Sequence, residues 1–215
     1  MKKLFIFFVM SIICLDVWSQ AKLKMPCKFG VKLGFGMHTI TGSRVKTHPL
    51  YSFMGGIWFQ IKMNKSWTMQ SELTLIEKGA GGFNSDHPKY GDYYLGLSYF
   101  EIPILFQYNR KKAYVEFGPG LSALRHAGET TGGGALPYQT DLYPISKKDL
   151  SFNLGAGYLI NEKWGVGLRL THSLLPVRKQ LPETSQSGYN RGIVLSVSRQ
   201  INFKSPRNKQ SQDIE

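Results

Sequence analysis

Five charged residues lie within stretches of the chain that are otherwise apolar or rich in small side chains. They are Lys32, Glu72, Glu101, Glu116 and Arg169. Each takes an alternate position of its segment, so all five point to one face if these segments are strands. Counted from the segment ends that carry short turns, all but Glu101 fall at similar depth. Buried charges must pair, so we expect a neutral structural network, with a proton or ion path as the functional alternative.

Other residues of the chemical types used in catalysis lack the spacing that it needs. The histidines, at 38, 48, 87, 126 and 172, form no His-x-x-x-His pair, so neither a metal site nor a cofactor is predicted. In Thr171-His172-Ser173, neighbouring side chains of a strand would point to opposite faces, so His172 cannot activate Ser173 directly. The glycine-rich stretches 79–82 and 132–134 lack the lysine of a phosphate loop. We therefore predict a protein that is not an enzyme, with lipid modification as the alternative.

Eight segments alternate large apolar residues with small or polar ones. In the first of them every odd position from Phe29 to Met37 is apolar, and every even position from Gly30 to His38 is glycine, lysine or histidine. The predicted strands are Lys28–Thr39, Tyr51–Lys62, Trp67–Ile76, a fourth ending at Tyr108, Ala113–Leu124, Leu150–Leu159, Trp164–Leu174 and Asn190–Phe203. Each has about the ten residues that a tilted membrane strand needs.

The connections between these strands alternate between short and long. The short ones are 64–66, 109–112 and 161–163, and the long ones are 40–50, 77–93, 125–149 and 175–189. This alternation is typical of an all-β, eight-stranded antiparallel transmembrane β-barrel with short periplasmic turns and long extracellular loops. In a membrane barrel the large apolar face contacts lipid, so we expect the small and polar glycine-and-charge face to line the interior. An interior of this size is filled by side chains, which excludes a nutrient pore.

Aromatic residues of shared outward parity stand beside the short turns, as expected of an interfacial girdle. They are Trp67, Tyr108, Tyr158, Trp164 and Phe203. Three residues do not fit the scheme. Arg199 falls on the outward face, where it must snorkel or sit at a bulge. Pro103 and Pro119 each remove a ladder donor, so a bulge or a widened pairing is expected between the fourth and fifth strands.

The chain start predicts export. A basic Met1-Lys2-Lys3 and an apolar run from Leu4 to Leu15 predict a signal peptide over 1–19. A short lead (20–27), the barrel (28–203) and a polar tail (204–215) would follow. The formal net charge of +13 becomes +12 once two basic residues and one acidic residue leave with the signal peptide. Nucleic acid is not expected as a partner because no recognition module is visible; anionic outer membrane lipids are.

Two segments resemble a known family. Tyr99-Phe100-Glu101-Ile102-Pro103-Ile104-Leu105 and Tyr114-Val115-Glu116-Phe117-Gly118-Pro119 resemble motifs of the PorT-like outer-membrane β-barrel proteins of Bacteroidota, with Glu101-Ile102-Pro103 and Gly118-Pro119 the most specific part. The resemblance implies an eight-stranded barrel in the outer membrane, and the predicted signal peptide implies export through the Sec pathway. It also implies a role in envelope assembly or in protein secretion and gliding machinery, with proteins of that machinery as partners. An adhesin-like binder acting through the 125–149 loop remains an alternative.

Overall fold

The computed structural model describes residues 27–41, 47–83, 92–131, 134–135, 145–178 and 187–201. The regular structure of these residues is nine β-strands. They are β1 (Cys27–Thr41), β2 (Thr47–Lys62), β3 (Trp67–Phe83), β4 (Asp92–Arg110), β5 (Ala113–Thr131), β6 (Gly134–Ala135), β7 (Lys148–Leu159), β8 (Trp164–Ser173) and β9 (Tyr189–Ile201). The predicted signal peptide, Phe203 and the polar tail lie outside the described residues.

In the described part of the chain, no helix is long and apolar enough to cross a membrane.

Eight of the strands form a closed antiparallel barrel. Each pairs with its neighbours in the order β1, β2, β3, β4, β5, β7, β8, β9, and β9 returns to β1. The remaining strand, β6, has two residues and pairs only with the end of β5. Closure leaves no edge strand in the ring, as a lipid environment requires. The predicted eight-stranded antiparallel barrel is confirmed.

The strands are staggered around the ring. From Lys32 the pairing passes through β2, β3, β4 and β5 to Asp149 of β7. In the other direction it passes through β9 and β8 to Leu159 of the same strand. The two routes end ten residues apart (159 − 149), and such a stagger requires the strands to tilt against the barrel axis. Side chains can therefore also meet across the lumen when their strands are not neighbours in the ring.

Two of the short turns are built in the same way. The Asn64 side-chain oxygen accepts hydrogen bonds from the amides of Ser66 (2.9 Å) and Trp67 (2.8 Å). The Asn161 oxygen accepts from Lys163 and Trp164, both at 2.9 Å. An asparagine side chain that accepts hydrogen bonds from backbone amides two and three residues later stabilises a tight turn. These asparagines fix where β3 and β8 begin.

The strands β3, β4 and β5 are longer than predicted, at 17, 19 and 19 residues. The predicted loops 40–50, 77–93 and 125–149 were too long. Thr47 to Pro49 pair with Ala80 to Gly82, so β2 begins before Tyr51. Glu77 to Phe83 pair with Asp92 to Ser98, and β4 continues to pair with β5 up to Thr130. In contrast, β8 ends at Ser173, one residue before the predicted end at Leu174. One wall of the barrel therefore extends beyond the others at the long-loop end.

The pairing of β4 with β5 is irregular in two places. The register shifts between Ser98 and Tyr99, where Arg125 is passed over. Near the prolines the register is unbroken, but two pairs of residues are left out of the pairing. The last pair before this gap is Pro103–Gly120 and the next is Phe106–Phe117. Widened pairing thus accommodates the prolines, and the bulge lies closer to the long loops.

The barrel has its apolar side chains outside. Phe53 is 77% exposed and Leu33 is 69% exposed, whereas Lys32, Glu72 and Arg169 are buried within the lumen. An apolar cluster also lies inside, but only towards the long-loop end. It contains Ile40, Met54, Ile76, Ala80, Leu95, Leu97, Tyr99, Val177 and Val194. Val177 joins it because its backbone bonds to Ser146 and Gly188 hold the segment after β8 in place.

Candidate functional site in the barrel interior

Four charged side chains meet in the half of the lumen that lies near the short turns. The Arg169 guanidinium donates two hydrogen bonds to Glu72, from Nη1 and Nη2, each of 2.8 Å, and a third from Nε to Glu116 Oε1, also of 2.8 Å. Lys32 forms an ion pair with Glu72. We call this set of four the inner charge layer. Its two positive and two negative charges cancel, and all four residues are buried.

The inner charge layer crosses the barrel. Its members lie on β1, β3, β5 and β8, which are alternate strands of the ring. Arg169 on β8 and Glu72 on β3 stand four places apart among eight strands, so their ion pair joins opposite walls. Bidentate geometry fixes the guanidinium in the plane of the carboxylate. A side chain held across the lumen at this level obstructs any path along the barrel axis.

Amide side chains surround the inner charge layer and continue it towards the short turns. Gln70 Nε2 donates to Glu72 Oε1 at 2.6 Å, and Gln107 Nε2 donates to Glu116 Oε2 at 3.0 Å. Gln60 Nε2 then donates to Gln107 Oε1 at 2.6 Å. Each carboxylate therefore has a hydrogen-bond donor besides its charged partner. Buried charges are stable only when their remaining lone pairs are satisfied in this way.

Glu101 lies in a second cluster nearer the long loops, apart from the other predicted residues. It forms an ion pair with Lys78 and accepts a hydrogen bond from Ser122 at 3.0 Å. Lys78 Nζ also lies 3.6 Å from Asp149 Oδ2, which accepts a hydrogen bond from Ser173 at 2.7 Å. Lys78 and Asp149 were not predicted as interior residues because both fell within predicted loops. The available signal for Lys78 was the alternation of β3. Glu72, Thr74 and Ile76 point inward at every second position, and Lys78 is the next residue in that series.

Several buried polar atoms near this second cluster lack a hydrogen-bond partner among the described residues. They are His38 Nε2, Asp149 Oδ1, Thr171 Oγ1 and both terminal atoms of Asn153 and Asn190. These residues lie on the consecutive strands β1, β9, β8 and β7. The other ring nitrogen of His38, Nδ1, lies 3.0 Å from Ser52 Oγ. Buried polar groups of this kind are ordinarily satisfied by ordered water, so this part of the lumen is polar and suited to hydration.

Glycines on the inner face make room for the large polar side chains. A Cβ added at Gly157 would come within 2.6 Å of Tyr114 Cε1, and one added at Gly30 would come within 2.6 Å of Trp58 Cζ2. Trp58 in turn donates to the Val31 carbonyl at 3.1 Å. The small-residue face recognised in the sequence is therefore the surface against which interior aromatic rings pack.

The predicted girdle residues lie where the strands meet the short turns. Tyr108, Tyr158 and Trp164 are exposed on the outer surface, and the Trp67 ring packs edge-on against Tyr108 at 5.3 Å. Arg199 is exposed and its guanidinium lies 5.2 Å from the centre of the Trp164 ring. The register of β9 is continuous at this point, so Arg199 is accommodated by stacking on an aromatic ring and not by a bulge.

The residues considered for catalysis are not brought together. His172 lies on the outer surface, stacked against Tyr189 at 6.4 Å, whereas Ser173 is buried inside and bonded to Asp149. Within the described ranges, no three His, Cys, Asp or Glu side chains are grouped as metal ligands would be. Cys27 is a free thiol on the surface. His172 and Ser173 therefore cannot act together as base and nucleophile, and the interior charges are compensated by ion pairs.

A closed eight-stranded barrel with apolar residues outside and a salt-bridged polar interior defines the class of outer membrane β-barrels. The model of the family described as "Outer membrane protein beta-barrel domain" matches residues 18–178. The chain belongs to this family and is an outer membrane β-barrel. No curated protein sequence matches it.

Solved barrels resemble it in fold at low sequence identity. Neisserial surface protein A is 11% identical, with a TM-score of 0.52 over 80% of this chain and 96% of that one. Ail, the attachment invasion locus protein of Yersinia pestis, solved in complex with the heparin analogue sucrose octasulfate, is 10% identical, with a TM-score of 0.46 over 82% and 100%. The likeness to the first of these shows the fold alone.

Proposed function

We propose that this protein is a non-enzymatic outer membrane barrel that acts through its two ends. Its expected role is in envelope assembly or in secretion and gliding machinery of the PorT-like type. In this proposal residues 1–19 direct export through the Sec pathway and are removed. The observation that carries the proposal is the Arg169–Glu72 ion pair across the lumen.

An obstructed lumen favours action at the ends over transport. The inner charge layer obstructs the half near the short turns, and the apolar cluster around Leu97 and Val177 occupies part of the end near the long loops. A small barrel of this kind is a rigid support for whatever its loops and periplasmic segments contact. The extended wall of β3, β4 and β5 adds an ordered surface at the long-loop end.

Co-purification tests this proposal. The tagged protein would be cross-linked in native membranes and purified in mild detergent, and stoichiometric envelope proteins should accompany it. Two variants tell the ends apart: replacement of 136–144 by a Gly/Ser linker of equal length, and truncation after residue 203. Loss of partners in one variant identifies the working end. A wild-type barrel purified without any stoichiometric partner would contradict the proposal.

The alternative of lipid modification has its own test. Lipid A from the wild-type strain and a deletion strain would be compared by mass spectrometry, with a complemented strain as the control. Identical lipid A species are expected, because His172 and Ser173 lie on opposite faces of the barrel wall. A change of lipid A that complementation reverses would replace our proposal with an enzyme.

A further inference from the structure

A groove of about 390 Å³ lies on the outer surface where β7, β8 and β9 adjoin. Its volume falls within the usual range of small-molecule sites, about 300–1,000 Å³. Its lining residues are Phe152, Leu154, Leu170, Thr171, His172, Arg191 and Gly192. The groove is outside the barrel, so in the membrane its occupant must come from the lipid.

The groove has two rows of side chains at different depths. Phe152, His172 and Arg191 are direct cross-strand partners and form the row nearer the long loops. Leu154 and Leu170, also paired, form the row nearer the middle of the membrane. The order from the long-loop end is therefore cationic and aromatic first, then aliphatic. A lipid has the same order, since its charged head group lies above its acyl chains.

The positive charge of Arg191 is not neutralised within the described ranges, where the guanidinium forms no ion pair. The carboxylate of β7, Asp149, points into the lumen, where it accepts a hydrogen bond from Ser173, so it does not pair with Arg191. Lys148, at the start of the same strand, is exposed. Cationic side chains on the outer face are tolerated near an interface, where a phosphate can pair with them, and are costly deeper in the bilayer.

We propose that this groove binds a phosphorylated glycolipid of the outer leaflet. One acyl chain lies along Leu154 and Leu170, and a phosphate accepts hydrogen bonds from the Arg191 guanidinium and the His172 ring. The outer leaflet is assigned because the long loops of such barrels are extracellular. Arg199, on the same strand and the same face, lies eight residues away at the short-turn end and is stacked on Trp164, so it takes no part.

Native mass spectrometry of the folded barrel in detergent, titrated with bisphosphorylated lipid A, tests the assignment. Arg191→Gln should weaken binding about tenfold, as expected for loss of a charge-assisted contact. The matched control Arg199→Gln should bind as the wild type does. Arg191→Lys keeps the charge but not the planar guanidinium with its several donors, so it should lose less lipid affinity than Arg191→Gln does.

Titrations with different lipids distinguish the possible sources of the phosphate. The same lipid A without its phosphates should bind about tenfold more weakly than the intact lipid. Phosphatidylglycerol should compete poorly, because its single phosphodiester carries less negative charge than the two phosphates of lipid A. Equal binding with and without phosphates, equal binding of phosphatidylglycerol, or unchanged binding by Arg191→Gln would each overturn the assignment. Migration of unboiled samples on gels shows that each variant is folded, so a loss of binding is not a loss of structure.

Discussion

Arg169 is the residue on which the inner charge layer depends most. Among the described residues it is the charged partner of Glu116, and it forms two of the hydrogen bonds to Glu72. Arg169→Met should therefore lower the free energy of unfolding by about 3–5 kcal/mol, the cost of breaking a buried pair from one side. Urea unfolding in detergent, followed by tryptophan fluorescence, measures it. An unchanged midpoint would mean that the layer does not stabilise the barrel.

The recovery of the Arg169→Met variant should depend on which carboxylate is removed. Adding Glu116→Gln should restore part of the stability, because Glu72 keeps Lys32 and Gln70 as partners and the layer is neutral again. Adding Glu72→Gln should restore less, since it leaves Lys32 and Glu116 both without their charged partners. The same unfolding assay on the two double variants measures the difference. Equal recovery would show that the charges are screened by water rather than paired.

Among the elements, β7 shows best how an inner glycine determines packing. Gly157→Ala should destabilise the barrel by about 1–3 kcal/mol, because the new methyl group meets the Tyr114 ring. The matched control is Gly55→Ala on β2, where the nearest atom is Leu33 Cδ2 at 3.5 Å, an ordinary contact. Unfolding midpoints should fall for the first variant only. Adding Tyr114→Leu to Gly157→Ala should recover part of the loss, and no recovery would mean that backbone strain is the cause.

At the scale of the whole molecule, the lumen should not conduct ions steadily. The Arg169–Glu72 pair joins opposite walls, and the apolar cluster occupies part of the end near the long loops. Purified protein in planar bilayers should show no stable open-channel current, with a general porin as the positive control. Stable conductance steps that vanish in the Arg169→Met, Glu116→Gln double variant would instead support an ion path through the inner charge layer.

Much of the fold was predictable because the side chains of each membrane strand alternate between lipid and lumen, and this alternation is visible in the sequence. Strand number, the inward face and the short turns at Asn64 and Asn161 follow from local residues alone. The ends of β3, β4 and β5 did not. The glycine-rich segment 79–82 favoured a loop. In the structure this segment pairs with residues 93–96 of β4, and the pairing keeps it extended. Pairing with a distant strand overrode a local preference.

The sequence by itself determined that Lys32, Glu72, Glu101, Glu116 and Arg169 face inward, because alternation assigns each side chain to a face. Only the tertiary structure decided which of them meet. The ten-residue stagger of the closed sheet places Arg169 opposite Glu72 across the lumen. The pairing of neighbouring strands places Lys78 near Glu101 and Arg191 beside His172 in the lining of the outer groove. Stagger is a property of the whole ring, since it arises only when the last strand closes on the first.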